Sequence, residues 1–185
     1  MNRLRLVLFL ASLPLAVGAA EPLPAFPGAE GAGSTTPGGR GGRVLFVTTL
    51  ADSGPGSFRA ACEAEGPRIV VFRVAGTIAL KSPMNVRNPY LTVAGQSAPG
   101  EGVCLRDNTF GISTHDVVVR FLRSRLGDVS GREADCIDLN HGARNCVLDH
   151  CSATWSIDEC LSTSGNNGDC TIQWCLIGES LNRSR

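Results

Sequence analysis

After residue 67, short runs of β-branched and apolar residues alternate with turns rich in Gly, Asn, Asp and Pro, a pattern that predicts strands. The runs are Ile69–Phe72, Leu91–Val93, Val117–Val119, Cys146–Leu148 and Cys170–Ile172. Their centres lie roughly 21, 26, 29 and 24 residues apart, which is the size of one coil in a parallel β-solenoid. Spacing alone leaves a β-sandwich open, although that fold would add turn signals every 8–12 residues or so.

Six of the eight cysteines share one spacing that favours the solenoid. The pairs that lie 24 residues apart are Cys136 and Cys160, Cys146 and Cys170, and Cys151 and Cys175. A shared offset predicts that residues 136–151 and 160–175 are successive copies of one unit, with equivalent residues about 4.7–4.9 Å apart. We expect stacked, buried thiols that behave as small apolar residues. Disulfides are the alternative, because this separation also permits them.

The N-terminus has a basic start, an apolar run from Leu6 to Val17 and small residues up to Ala20. This order is typical of a secretory signal peptide, and the apolar run is shorter than the roughly 20 residues that span a bilayer. The sequence therefore predicts a signal peptide over residues 1–20 and a secreted protein, extracellular or periplasmic. Residues 21–185 are then one domain.

Two segments near the start of this domain differ from the strand pattern. Residues 21–42 are rich in Gly, Pro and Ala and predict a loop of tight turns packed against a neighbour. A phosphate-binding loop is disfavoured because the glycines lead into a predicted strand, Val44–Val47, and not into a helix. Residues 57–64 predict one short helix, with Ser57 as its N-cap.

Four carboxylates are candidates for a metal site. The 24-residue offset places Asp135 in register with Glu159, and two carboxylates so close repel each other. A hard divalent cation would neutralise them, and calcium accepts loose oxygen geometry. Asp158 and Glu133 lie beside the pair in sequence and can complete an oxygen cage. The alternative is a set of exposed loop acids paired with nearby arginines.

Basic and aromatic residues supply candidates for substrate binding. Arg123 and Arg125 lie on one face by the two-residue period of a strand and can contact the carboxylates of an acidic polymer. A solvated face is the alternative. Trp155 and Trp174 can stack on sugar rings or pack within the protein. With 17 basic and 17 acidic residues, the chain has no net charge that would favour nucleic acid.

A series of motifs in order resembles secreted bacterial pectate lyases of polysaccharide lyase family 1. These motifs are Phe26–Gly31, Gly38–Gly42, Asp52–Ser57, Val71–Ile78, Leu91–Gln96, Val118–Arg123, Leu148–Ala153 and Trp155–Glu159. The resemblance covers residues 25–182. It implies an all-β, right-handed parallel β-helix with a short N-terminal capping helix. It also implies calcium-assisted β-elimination of polygalacturonate, an acidic polysaccharide. We expect a monomer that binds neither nucleic acid nor membranes.

The resemblance also implies roles for particular residues. Asp135 matches a calcium ligand of the family and Glu133 its neighbouring partner. Asp158 stands where an acidic ligand of the next coil is expected, although Glu159 fits the local register better. Ser162 stands where a further acidic ligand often occurs, and this departure weakens the expected site.

The catalytic arginine of the family belongs to a later coil, so no residue here is assigned as the base and the domain is expected to be truncated at its C-terminal end. Two alternatives to the lyase stay open. One is a non-catalytic carbohydrate-binding β-helix or inactive relic. The other is a glycoside hydrolase on the same fold, which would use paired carboxylic acids and add water.

Overall fold

The computed structural model describes residues 22–182, which form a parallel β-helix with three sheets around one core. In chain order the elements are β1 (Arg43–Val47), α1 (Phe58–Glu63), β2 (Arg68–Phe72), β3 (Gly76–Ala79), β4 (Met84–Val86), β5 (Leu91–Ala94), a 3₁₀ turn (Gly95–Ser97), β6 (Val103–Arg106), β7 (Phe110–Ile112), β8 (His115–Arg120), β9 (Leu122–Arg125), β10 (Ile137–Leu139), β11 (Arg144–Asp149), β12 (Ser152–Thr154), β13 (Leu161–Thr163), β14 (Gly168–Gln173) and β15 (Leu176–Gly178). The predicted signal peptide lies outside the described residues.

Each coil contributes one strand to each sheet in turn. Sheet A contains β1, β2, β5, β8, β11 and β14, sheet B contains β3, β6, β9, β12 and β15, and sheet C contains β4, β7, β10 and β13. Every neighbouring pair is parallel. The five predicted runs all fall in sheet A. The short strands of sheets B and C, with three or four residues each, had no comparable run in the sequence.

The predicted 24-residue register is confirmed on all three sheets. Ile137 pairs with Leu161, Cys146 with Cys170, and Ser152 with Leu176. Residues facing inward, such as Val117, Val119, Cys146 and Leu148, stack from one coil to the next and are fully buried. The apolar core is therefore a column inside the coils, to which each rung adds a layer.

The stacked cysteines are thiols in this structure. Cys146 donates to the carbonyl of Arg144 at 3.1 Å, and Cys170 donates to the carbonyl of Gly168 at 3.3 Å. Both thiols thus make the same contact with the residue two positions earlier. In-register neighbours on parallel strands point the same way, as expected for thiols that pack as small apolar groups.

Helix α1 closes the N-terminal end of the core, as predicted for residues 57–64. The Ser57 hydroxyl accepts a hydrogen bond from the Ala60 amide at 3.1 Å, which caps the first turn. Phe58 packs against Phe72 and Phe110, with ring centroids 5.3 and 5.9 Å apart. The helix therefore covers apolar side chains that the first coil would otherwise expose.

The glycine-rich segment lies on the outer face of sheet A, as the predicted turns packed against a neighbour require. A Cβ atom on Gly33 would lie 2.3 Å from the carbonyl oxygen of Cys146. Within the segment, the backbone amide of Glu30 donates to the Gln173 side chain at 2.9 Å, and Gln173 in turn donates to Asp149 at 2.8 Å. Asp149 is fully buried.

Replacement of Gly39 by Ala is expected to destabilise the fold by about 1–3 kcal/mol, because the new methyl group must displace backbone. Its Cβ atom would lie 1.8 Å from the carbonyl oxygen of Arg68. Urea unfolding checks this. Gly168→Ala is the matched control, since a Cβ there meets no atom within 4 Å. Equal midpoints for the two variants would contradict the close packing of the segment on sheet A.

Candidate metal centre

Three carboxylates converge where two strands of sheet C begin. Asp135 precedes β10, and Asp158 and Glu159 precede β13, one coil later. One carboxylate oxygen from each residue lies within 4.8 Å of the others. We call these three residues the acidic group. The register of β10 and β13 brings them together, because Ile137 pairs with Leu161.

Asp135 is the member of the acidic group whose carboxylate accepts two hydrogen bonds from the next coil. Its Oδ1 accepts a hydrogen bond from the Glu159 amide at 3.1 Å, and its Oδ2 accepts one from the Ser162 hydroxyl. Ser162 also lies 3.1 Å from Asp138 Oδ1. These contacts fix the Asp135 carboxylate between two coils. Its orientation therefore depends on the parallel stacking of β10 and β13.

In the described part of the chain, the charge of the acidic group is not balanced by ion pairs with basic side chains. Within residues 22–182, none of the ion pairs involves its members. The shared hydrogen bond with Asp135 and the negative charge of Asp158 raise the pKa of Glu159 above its usual value. Such a shift shows that the carboxylates repel one another. A bound cation would relieve this repulsion, and a donor set made only of oxygens suits calcium.

The structure separates the other predicted site residues from the acidic group. Glu133 is exposed on the segment between β9 and β10 and is not among the three converging carboxylates. Arg123 and Arg125 lie on β9, in sheet B, while the acidic group lies at the start of sheet C. The sequence pattern correctly placed the two arginines on one face, but it contained no information about which sheet that face belongs to.

A polar neighbour of the acidic group was missed in the sequence. Asn140 donates from its side-chain amide to Asp138 Oδ2, and its Oδ1 accepts a hydrogen bond from Ser113 at 2.6 Å. Asn140 lies two residues after Asp138. This two-residue spacing, which places both side chains on one face of a strand, is the signal by which the sequence could have indicated the contact. These contacts continue the polar edge of sheet C back to the preceding coil.

Comparisons with known proteins relate this chain to pectate lyases. It is 42% identical over 173 residues to a protein named "Probable pectate lyase C" from Emericella nidulans, covering 93% of this chain and 40% of that protein. A protein of the same name from Aspergillus terreus is 41% identical over 158 residues, covering 85% of this chain and 37% of that protein. No protein-family profile matches the chain.

A solved structure shares the fold. The crystal structure of Jun a 1, the major allergen from cedar pollen, matches with a TM-score of 0.66 and 25% identity, covering 77% of this chain and 46% of that protein. Fold and comparisons together define the chain as a parallel β-helix protein. More particularly, it is a homologue of proteins named pectate lyases.

The chain spans about two fifths of the length of the curated relatives it matches. These two relatives are fungal, whereas the motifs resemble bacterial enzymes. The comparisons therefore support the resemblance to pectate lyases, but they do not support a bacterial family in particular. Among residues 22–182, no helix has the length and apolar character needed to cross a membrane.

Proposed function

We propose that this chain belongs to a secreted, calcium-dependent pectate lyase that cleaves polygalacturonate by β-elimination. The acidic group is the observation that carries the proposal. It brings together three carboxylates that form no ion pair within residues 22–182, in a chain whose homologues bear this name. The homologues alone would support a lyase without indicating where this chain holds its cation.

In this proposal Asp135, Asp158 and Glu159 hold the calcium ion. Glu133, two residues before Asp135, is a further candidate ligand from the sequence that does not converge with them here. An ion held by these three residues would supply a Lewis acid that makes the C5 proton of a bound uronate more acidic. Ser162 keeps the Asp135 carboxylate in place from the next coil. We assign no catalytic base to residues 22–182.

The proposal is tested by incubating the full-length protein with polygalacturonate and following the absorbance of unsaturated uronate products. We expect product to form with calcium and to stop with EDTA. The Asp158→Asn variant should lose most of this activity. Reducing ends without unsaturated products would indicate a hydrolase, and an absence of cleavage on pectins of every degree of methylation would contradict the lyase.

A second candidate is a β-helix that binds calcium and polymer without cleaving. Ser162 favours it, since this residue offers a hydroxyl where the resembling lyases often have a carboxylate. Calorimetry separates the two candidates. Binding of polygalacturonate by full-length protein that gives no products would support the second.

The Ser162→Asp substitution is expected to tighten calcium binding by about tenfold, because a fourth carboxylate would join the site. The same change should lower the melting temperature in EDTA, since the added charge faces Asp135 and Asp138. Calcium calorimetry and thermal unfolding measure the two effects. Ser164→Asp, on an exposed position after β13, is the control. Unchanged affinity in Ser162→Asp would place the cation elsewhere.

A further inference from the structure

The outer face of sheet B carries arginines on neighbouring strands. On β9, Leu122 and Ser124 point inward and are fully buried, so Arg123 and Arg125 point outward. Arg123 lies between Cys104 and Ser152 in the register, and Arg125 lies between Arg106 and Thr154. We call this surface, formed by Arg106, Arg123, Arg125 and Trp155, the arginine face.

Two of these arginines form no ion pair with any residue that the structure describes. Arg106 forms an ion pair with Asp107 at 3.0 Å. Within residues 22–182, neither Arg123 nor Arg125 forms an ion pair with a carboxylate. Arg125 is nevertheless held in place, because it donates to the carbonyl oxygens of Ser124 and Ser152 at 2.9 and 3.1 Å. The face therefore presents two guanidinium groups that form no ion pair among the described residues, and one of them, Arg125, is held in place by hydrogen bonds.

Trp155 adds an exposed aromatic surface beside these charges. It is 49% exposed, and the centre of its ring lies 5.9 Å from the guanidinium carbon of Arg125. Both residues line a shallow depression of about 500 Å³ together with Arg123. A second depression of about 490 Å³, which includes Phe121, shares Arg123 with the first. The two depressions adjoin, since Glu101, Gly102 and Arg123 line both, and we call them together the groove.

Three positive charges of the arginine face act on the same side chain, Cys104. Burial raises the pKa of the Cys104 thiol, while the positive charges of Arg125, Arg123 and Arg106 act on it in the opposite direction. Cys104 lines the first depression and pairs in register with Arg123, and Arg106 pairs with Arg125 two residues further along the same strands. An anion in this groove would meet several positive charges at once.

We propose that the arginine face is a second binding surface for an acidic polysaccharide, separate from the acidic group, which holds uronate residues without calcium. Guanidinium groups bind carboxylates through paired hydrogen bonds, and the indole ring offers an apolar surface to the face of a sugar ring. The choice of a uronate polymer rests on the proposed function. Such a surface would keep the protein on its polymer while the acidic group engages another segment.

The test is binding of hexagalacturonate to the full chain in EDTA, measured by calorimetry. We expect Arg123→Gln to weaken binding about tenfold, the loss of one charge-assisted contact. Trp155→Asn, which suits the positive φ of 64° at this position, should also weaken it. Arg144→Gln is the matched control, because Arg144 is exposed on sheet A and loses the same charge.

Three results would overturn the proposal: no binding in EDTA, equal affinity for Arg123→Gln and Arg144→Gln, or equal binding of a single-stranded oligonucleotide of matched charge. The last would indicate a surface that attracts any polyanion. Failure of the proposed function gives a different result, namely absence of unsaturated products from the full-length protein while binding in EDTA still depends on Arg123. Melting temperatures of the variants confirm that each one folds.

Discussion

Replacement of Asp135 by Asn is expected to abolish the stabilisation of the protein by calcium. A cation at 100 times its dissociation constant stabilises the folded state by about 2.7 kcal/mol, which raises the melting temperature of a domain of this size by about 5–10 °C. Asn keeps the shape of the side chain but removes the charge that lies between Glu159 and Ser162. Thermal unfolding with calcium and with EDTA measures the difference.

Asp128→Asn provides the control for this experiment. Asp128 is exposed, lies on the same segment between β9 and β10, and loses the same charge on substitution, but it is not one of the converging carboxylates. It should keep the full calcium-dependent shift. If Asp135→Asn also kept that shift, the cation would bind at another place and the acidic group would have no role in it.

Replacement of Arg68 by Met is expected to destabilise the protein by about 4 kcal/mol or more, because several buried carbonyl groups would lose their donor. Arg68 is fully buried and has no acidic partner among the described residues. Its guanidinium group donates instead to the carbonyl oxygens of Ala61, Cys62, Gly66, Asn88 and Pro89. Two of these belong to α1, so Arg68 ties the capping helix to the first coils.

Urea unfolding measures this effect, with the midpoint compared at constant slope. Arg43→Met is the matched control, since Arg43 is an exposed residue on the neighbouring strand that donates to the carbonyl of Glu65. It should lose less than about 1 kcal/mol. Similar losses for the two variants would mean that the buried contacts of Arg68 contribute little to holding the helix in place.

The fold could be predicted because residues at equivalent positions of stacked coils recur along the sequence. The runs of sheet A have apolar side chains on one face, such as Val117 and Val119, and so they stand out as periodic strands. Sheets B and C have strands of three or four residues, too short to show a period. The cysteines supplied the register directly, because Cys146 and Cys170 occupy equivalent places in successive coils.

The acidic group could be predicted for the same reason, since register alone brings Asp135 to Glu159. The position of Glu133 could not, because it lies on a long connection whose path does not repeat from coil to coil. The role of Arg68 was also hidden, since its five acceptors are backbone carbonyls and leave no pattern of side chains. For Arg123 and Arg125, the alternation gives the face, but the sheet depends on how many residues each turn uses.

Electron density from crystals of the protein grown with calcium tests the central claim most directly. We expect a calcium ion bound by carboxylate oxygens of Asp135, Asp158 and Glu159, at the distances of about 2.3–2.6 Å that calcium adopts with oxygen. A map in which these carboxylates stay apart with no cation among them, or in which calcium lies at a different set of residues, would contradict it.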